Sequence, residues 1–270
     1  MRRTLIRLVV WLTALALAVS TAACMFQNKL IFFPGPPPST TPSSRGLAFE
    51  DVRIATTDGC DLGAWWIPRD GARAAVLVCH GNAGSIEDRL DLARFLHAQG
   101  LGVLLFDYRG YGTSTGSPSG PGVGCDADAA FAWLRAKLAD PQLAVVAWGE
   151  SLGGAVAAEL ATRRAVHAVV LESAFTSLAE VASEHYAFLP VRWILRVKLD
   201  TLGALAQFEL PLLVIHGRGD EIVPFEHGAR LFAAGRGRKS FAEHAGGHND
   251  RGWSHSPAAK QTVCEFLAAL

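Results

Sequence analysis

Leu143-Ala-Val-Val-Ala-Trp-Gly-Glu-Ser-Leu-Gly-Gly-Ala-Val-Ala-Ala-Glu-Leu160 is the stretch on which the fold turns. Leu143 to Trp148 is an apolar run with the length and β-branched content of a strand buried on both faces. It stops at Gly149-Glu150-Ser151-Leu152-Gly153, and an Ala-rich run of good helix formers follows at once. Strand, Gly-x-Ser-x-Gly, helix is the context in which that pattern becomes a nucleophile elbow. Ser151 then occupies a tight turn, with its hydroxyl pushed clear of the backbone. The helix amino terminus beneath it favours negative charge developing beside the serine. Taken alone, the pattern also fits a glycine-rich turn with a passive serine, since Gly makes up 27 of the 270 residues.

Composition narrows the field. The chain is long enough for one sizeable α/β domain. Lys plus Arg balances Asp plus Glu, 25 against 25, and no basic stripe interleaved with aromatics appears, so nucleic acid is not an expected partner. Five cysteines include no Cys-x-x-Cys pair, which gives a metal site no support. The spacing of Cys60, Cys79, Cys125 and Cys264 does not pair them. Cys79, closing an apolar strand, reads as a small core residue. No cofactor motif is present.

The amino terminus stands apart from the fold. Arg2, Arg3 and Arg7 precede the apolar run Leu8 to Val19, and small residues lead to Thr21-Ala22-Ala23-Cys24. This is the layout of a bacterial export signal. Cys after two alanines resembles a lipobox, although Thr21 stands where Leu is usual. The competing reading is an uncleaved anchor helix from about Leu5 to Ala23. Either one places the domain outside the cytoplasm, attached to a membrane. Residues 25–46, with Pro34 to Arg45 rich in Pro and Ser, are expected to form a semi-rigid tether. Residues 47–270 form the folded domain.

Within that domain, Phe49–Thr56 and Cys60–Pro68 read as strands joined at Thr57-Asp58-Gly59. Further strands are expected at Ala74–Cys79, Leu101–Phe106, Ala168–Leu171, Leu212–His216 and Lys239–Glu243. Helices are expected from the Ser85 cap to Gly100, over Asp126–Leu138, after Ser151, and over Pro257–Leu270. Strands alternating with helices predict a mostly parallel central sheet with helices on both faces. Residues 173–209 break the alternation. They carry Phe175, Tyr186, Phe188, Leu189, Trp193, Ile194, Leu195 and Leu199, and read either as an ordinary crossover or as a short cap walling an acyl site.

A serine hydroxyl needs a base that is itself oriented by a third group. In a parallel sheet these partners belong on loops at the carboxyl ends of later strands. Asp220 follows the Leu212 strand and is preferred over Glu221. His248 follows Gly246-Gly247 and is preferred over His244, at the end of its strand, and over His255. The order Ser151, Asp220, His248 is that of the α/β-hydrolases. Oxyanion donors are expected from the Leu152 amide and from Asn82 in the loop after the Ala74–Cys79 strand.

Gly149-Glu-Ser-Leu-Gly-Gly154, His80-Gly-Asn-Ala-Gly84, Asp107-Tyr-Arg-Gly-Tyr-Gly-Thr-Ser114, Glu172-Ser-Ala-Phe-Thr-Ser177, His216-Gly217 with Asp220 and Ile222-Val223-Pro224, and Gly247-His-Asn-Asp250 occur in order. As a set, running from about Phe26 to the end, they resemble the α/β-hydrolase branch that holds the BEM46-like proteins and the membrane-anchored ABHD-type serine hydrolases. The resemblance implies an α/β-hydrolase fold and a Ser-His-Asp esterase or thioesterase acting on small acyl or lipid-like substrates. A serine peptidase or aminopeptidase is its alternative within the branch, and a catalytically silent envelope protein the alternative outside it. Ser117-Pro-Ser-Gly120 departs from the pattern, since relatives often carry Glu in place of Gly120.

Overall fold

Apolar β-branched runs flanked by Gly and Asp punctuate the chain from residue 50 onward, and each becomes a strand of a single sheet. The computed structural model describes residues 2–187 and 189–270. Phe188, the side chains of most of the Leu8–Val19 run, and the Ala23 side chain lie outside the described residues. The strands are β1 Phe33–Pro34, β2 Glu50–Ala55, β3 Asp61–Ile67, β4 Ala74–Cys79, β5 Ala83–Gly84, β6 Gly102–Phe106, β7 Ala144–Glu150, β8 Ala168–Glu172, β9 Leu212–Gly217 and β10 Lys239–His244. Eight of them form one sheet in the order β10-β9-β8-β7-β4-β6-β3-β2. Pairing is antiparallel at β2–β3 and β3–β6 and parallel from β6 to β10. The central strands β4, β7, β8 and β9 are apolar and buried along their length, as strands covered on both faces must be.

Helices α1 Arg2–Ile31, α2 Leu90–Ala98, α3 Gly120–Lys137, α4 Leu152–Arg163, α5 Leu178–His185, α6 Val191–Ile194, α7 Thr201–Leu205, α8 Phe225–Ala234 and α9 Pro257–Ala268 complete the fold. Leu90, Leu96, Val263 and Phe266 of α2 and α9 cover one face of the sheet. Val123, Phe131, Val156, Leu160 and Leu231 of α3, α4 and α8 cover the other. The chain leaves β4 on one side and β7 on the other, so the switch in strand order falls between their carboxyl ends. That is where open α/β sheets form their crevices.

Two expectations change, and one pair of alternatives is narrowed. First, α3 begins at Gly120, six positions before Asp126, because Ser119 accepts the Gly122 N–H and Pro121 fits the first helical turn. Second, residues 25–46 are not a free tether. Gln27, Phe32, Pro42 and Leu47 are buried against the domain, and β1 pairs in parallel with β5. Apolar burial on both sides of the proline cluster holds the stretch down. Third, of the two readings of residues 173–209 the described residues fit the crossover: Leu178, Val181 and Leu205 of α5 and α7, with Phe175 before them, join the main core. No helix among the described residues is long and apolar enough to cross a membrane.

Candidate active site

The sharp turn between β7 and α4 follows from two glycines. A Cβ at Gly149 would lie 2.2 Å from the Gly153 carbonyl oxygen, and a Cβ at Gly153 only 2.0 Å from that of Cys79. Strand and helix therefore close to a distance no side chain allows. Ser151 between them is held at φ 50°, ψ −115°, a region that costs a non-glycine residue about 1–3 kcal/mol. Its N–H donates to the Glu172 carbonyl at 2.8 Å, locking the turn to β8. The Ser151 hydroxyl is left facing the crevice.

The loops after β9 and β10 bring the other two residues to it. Ser151 Oγ lies 3.0 Å from His248 Nε2. His248 Nδ1 lies 2.8 and 2.9 Å from the two Asp220 oxygens. Asp220 Oδ1 also accepts the N–H groups of Ile222 at 3.0 Å and Val223 at 2.7 Å. Burial pushes this carboxyl up, but the bond from His248 and those two amides outweigh it, and the acid is held below its ordinary range. The carboxylate is thus ionised and positioned to favour the tautomer with hydrogen on Nδ1 and an acceptor at Nε2.

The alternatives lie elsewhere. Glu221 approaches only the backbone N–H of His248, at 3.4 Å. His244 is buried at the end of β10 and accepts the Gly246 N–H at 3.1 Å. His255 is exposed beyond the turn that follows the His248 loop. Cys79 is buried, and its thiol is pushed up to about 12 by that burial, as a core residue's is.

Leu152 opens α4, so its N–H has no intrahelical acceptor. The turn after β4 runs beside it, and a Cβ at Gly81 would stand 3.7 Å from the Ser151 Cβ. Asn82 borders the same crevice, but its side-chain NH₂ and its carbonyl are already committed. Its side chain donates to the Ile31 carbonyl at 3.0 Å, and its own carbonyl accepts from Phe33 N–H at 2.8 Å and the Tyr111 hydroxyl at 2.7 Å. Its backbone N–H donates to no group among the described residues, and its side-chain Oδ1 accepts from none. His80 sits between Tyr108 and Tyr111 with ring centroids 4.3 and 5.1 Å away. Burial, aided by the Arg89 charge, lowers its pKa to about 3, so it supports the turn as a neutral ring.

An ion cluster beneath Ser151 was not visible in the sequence. Glu150 Oε2 accepts Arg89 Nε at 2.6 Å, and Oε1 accepts Arg251 Nη2 at 2.6 Å. Burial works against the Glu150 charge, yet the two guanidiniums hold its pKa at about 2. Glu172 behind it accepts the indole N–H groups of Trp148 at 2.9 Å and Trp253 at 2.6 Å. Burial and then the Glu150 charge raise the Glu172 pKa. Three segments are tied together in this way: the Ser85–Arg89 turn, the elbow, and the His248 loop. Sequence separations of 61 and 101 residues kept the partners from being recognised.

A cleft of about 970 Å³ opens beside Ser151 and His248. Phe95 and Ala98 give it an apolar side, with Leu92 and Trp253 buried behind them, and Asp88, Arg89, Arg94, Asp250 and Arg251 line the rest. Residues 173–209, whose other reading was a cap, contribute only Ser173 among the described residues. The wall comes instead from α2 and the segment before α9. No group of His, Cys, Asp or Glu among the described residues is arranged to hold a metal ion.

A family model described as serine aminopeptidase, S33, matches residues 70–205. An α/β hydrolase domain-containing protein of Arabidopsis thaliana, WAV2, is 32 % identical over 269 residues, covering 90 % of this chain and 87 % of its own. The chain belongs to the α/β-hydrolases. An uncharacterized protein of Mycobacterium tuberculosis, Rv2307c, is 44 % identical over 88 % of this α/β-hydrolase and 87 % of itself. The lysophosphatidylserine lipase ABHD12 of Macaca fascicularis is 32 % identical over 73 % of this chain and 56 % of its own length. Among solved structures, the Pyrococcus furiosus esterase Pf2001 superposes with a TM-score of 0.73 at 23 % identity, over 88 % of this chain and 97 % of that one, a likeness of fold.

Proposed function

We propose that this α/β-hydrolase cleaves carboxylic esters or thioesters of acyl, lipid-like substrates through Ser151, His248 and Asp220. The supporting observation is the unbroken chain from Ser151 Oγ to His248 to Asp220, with contacts of 3.0 and 2.8 Å. Ser151 Oγ attacks the acyl carbon while His248 Nε2 takes its proton, and Asp220 stabilises the imidazolium. The oxygen that gains the negative charge accepts from the Leu152 and Asn82 backbone N–H groups. His248 then protonates the leaving alcohol or thiol. Water, activated by the same imidazole, attacks the acyl-enzyme and restores the Ser151 hydroxyl. The apolar side that Phe95 and Ala98 give the cleft suits an acyl chain, and the macaque relative named as a lipase supports the same class.

Fluorophosphonate labelling tests the reading. The probe should attach at Ser151, and Ser151→Ala should lose roughly 10⁶-fold in kcat on nitrophenyl esters. Equal turnover by wild type and variant refutes it. The description of the matching family model favours a second reading, hydrolysis of aminoacyl amides. Selective turnover of aminoacyl amides over acyl esters would establish it. We further place the chain at a membrane outside the cytoplasm, attached through its amino-terminal segment as a lipoprotein at Cys24 or through α1. Metabolic labelling with an alkyne fatty acid separates the two, since only the first gives a lipid-modified Cys24.

A further inference from the structure

Trp193 is 91 % exposed on α6, the largest such value among the described large hydrophobic residues. Its neighbours alternate in a telling way. Val191 is buried and Val197 and Leu199 join the core, while Arg192, Arg196 and Lys198 are exposed with the indole. No Asp or Glu occurs between His185 and Leu199. Among the described residues, no carboxylate lies within ion-pair distance of Arg192, Arg196, Lys198 or Lys29. In a chain with balanced charge, this face is a local block of unpaired cations around one aromatic.

The face continues onto α1. Gln27 is buried, and its Oε1 accepts the N–H groups of Arg196 at 2.7 Å and Val197 at 3.1 Å. These bonds clamp the last turns of α1 to the segment after α6. On those turns Met25, Phe26 and Leu30 are exposed, and Phe33 follows. Further along α1, Ile6, Val10, Trp11 and Val19 are exposed as well.

We propose that Trp193, Arg192, Arg196 and Lys198, with Met25, Phe26 and Leu30, form a surface that docks into the headgroup layer of an anionic bilayer. An amphipathic indole rests best at the membrane–water interface, with its ring among acyl carbonyls and its N–H wet. Unpaired Arg and Lys beside it are drawn to anionic headgroups. A protein partner fits less well, because the face carries one sign of charge and adjoins a helix with apolar side chains bared along its length. The surface needs no helix that spans the bilayer. It goes beyond attachment by the amino-terminal segment, because it fixes the orientation of the domain, and it is independent of the catalytic reading.

The test uses the full chain in vesicles of phosphatidylcholine with roughly one-third phosphatidylglycerol. The Trp193 contribution is taken as the difference in emission between wild type and Trp193→Phe. Docking predicts that this component is shielded from aqueous acrylamide and quenched by lipids brominated near the carbonyl end. Arg192→Gln combined with Arg196→Gln should weaken docking by roughly 10- to 30-fold, read as lost lipid quenching. Turnover of a soluble nitrophenyl ester should stay unchanged in both variants, which reports the fold and the triad separately. Trp193 that stays open to acrylamide in vesicles, attached only through the amino terminus, overturns the proposal. So does shielding without lipid quenching, the signature of a protein partner.

Discussion

Replacing Asp220 with Asn changes one atom and should disable the site while leaving the fold standing. In the wild type, Asp220 Oδ1 accepts the Ile222 and Val223 amides, and Oδ2 faces His248 Nδ1 at 2.8 Å. The Asn carbonyl can keep the two amide bonds, which puts its NH₂ group opposite Nδ1. That NH₂, 2.8 Å away, meets an Nδ1–H donor to donor, whereas it donates well to a bare Nδ1. Although the carbonyl stays 2.9 Å from Nδ1, the balance shifts toward the tautomer with hydrogen on Nε2. Nε2 then points a hydrogen at Ser151 Oγ and no longer accepts one. The expected loss in kcat is about 10⁴-fold, or about 5.5 kcal/mol of transition-state stabilisation. Asp220→Ala should lose comparable activity and also destabilise the fold by about 1–3 kcal/mol for each amide left without an acceptor. The pH dependence has a sign. The folded carboxyl sits below its ordinary range, so its contribution to stability is present above the unfolded pKa and is lost as pH falls. The stability gap between wild type and Asp220→Asn therefore narrows below about pH 4. Nitrophenyl butyrate kinetics with denaturant melts on the same samples measure all of this. A folded Asp220→Asn enzyme within about tenfold of wild-type activity would show that His248 is not oriented by Asp220.

Other expectations follow from single contacts. Gly153→Ala places a methyl 2.0 Å from the Cys79 carbonyl, so it should fail to fold or lose more than about 3 kcal/mol in denaturant midpoint. Glu150→Gln leaves Arg89 and Arg251 beneath the elbow without their shared counter-charge and should cost about 3 kcal/mol at neutral pH. That difference should shrink as pH falls from the ordinary carboxylate range toward about 2, where the wild-type group protonates. Asp107 is fully buried, accepts the Ile86 N–H at 2.9 Å, and is raised by burial to about 7. A raised acid stabilises the fold only while protonated, so wild type should lose stability from pH 5 to pH 8 relative to Asp107→Asn, by more than about 1 kcal/mol in paired melts.

Much of the framework was legible because local rules and global fold agree. The apolar runs of the sheet interior have no other stable arrangement, and the strand-glycine-serine-glycine-helix sequence admits only a sharp turn. Chain order then limits which loops can carry an acid and a base, since both must lie at carboxyl ends of later strands. Three things stayed hidden. The start of α3 was misplaced because Gly120 to Gly124 has poor helix propensity, whereas the Ser119 cap and burial of Asp126 against Arg109 at 2.9 Å decide it. The proline-rich stretch read as a spacer because composition weighs prolines, whereas Phe32 and Leu47 on either side hold it down. The Arg89–Glu150–Arg251 cluster is a meeting of distant loops, and no periodicity records it. Phe32-Phe33 just before a proline cluster was the one local hint that residues 25–46 dock.

The strap from Ile31 to Phe33 ends on Asn82 from both sides, by its amide side chain and by its carbonyl. Mechanically, the leash and the reaction centre are therefore one piece. A pull on the amino terminus, from a bilayer or from a chip surface, is delivered to the turn that carries Asn82, the proposed oxyanion donor. Enzyme immobilised by its first residues should turn over differently from enzyme held by Leu270, and chains trimmed past Pro34 lose this brace altogether.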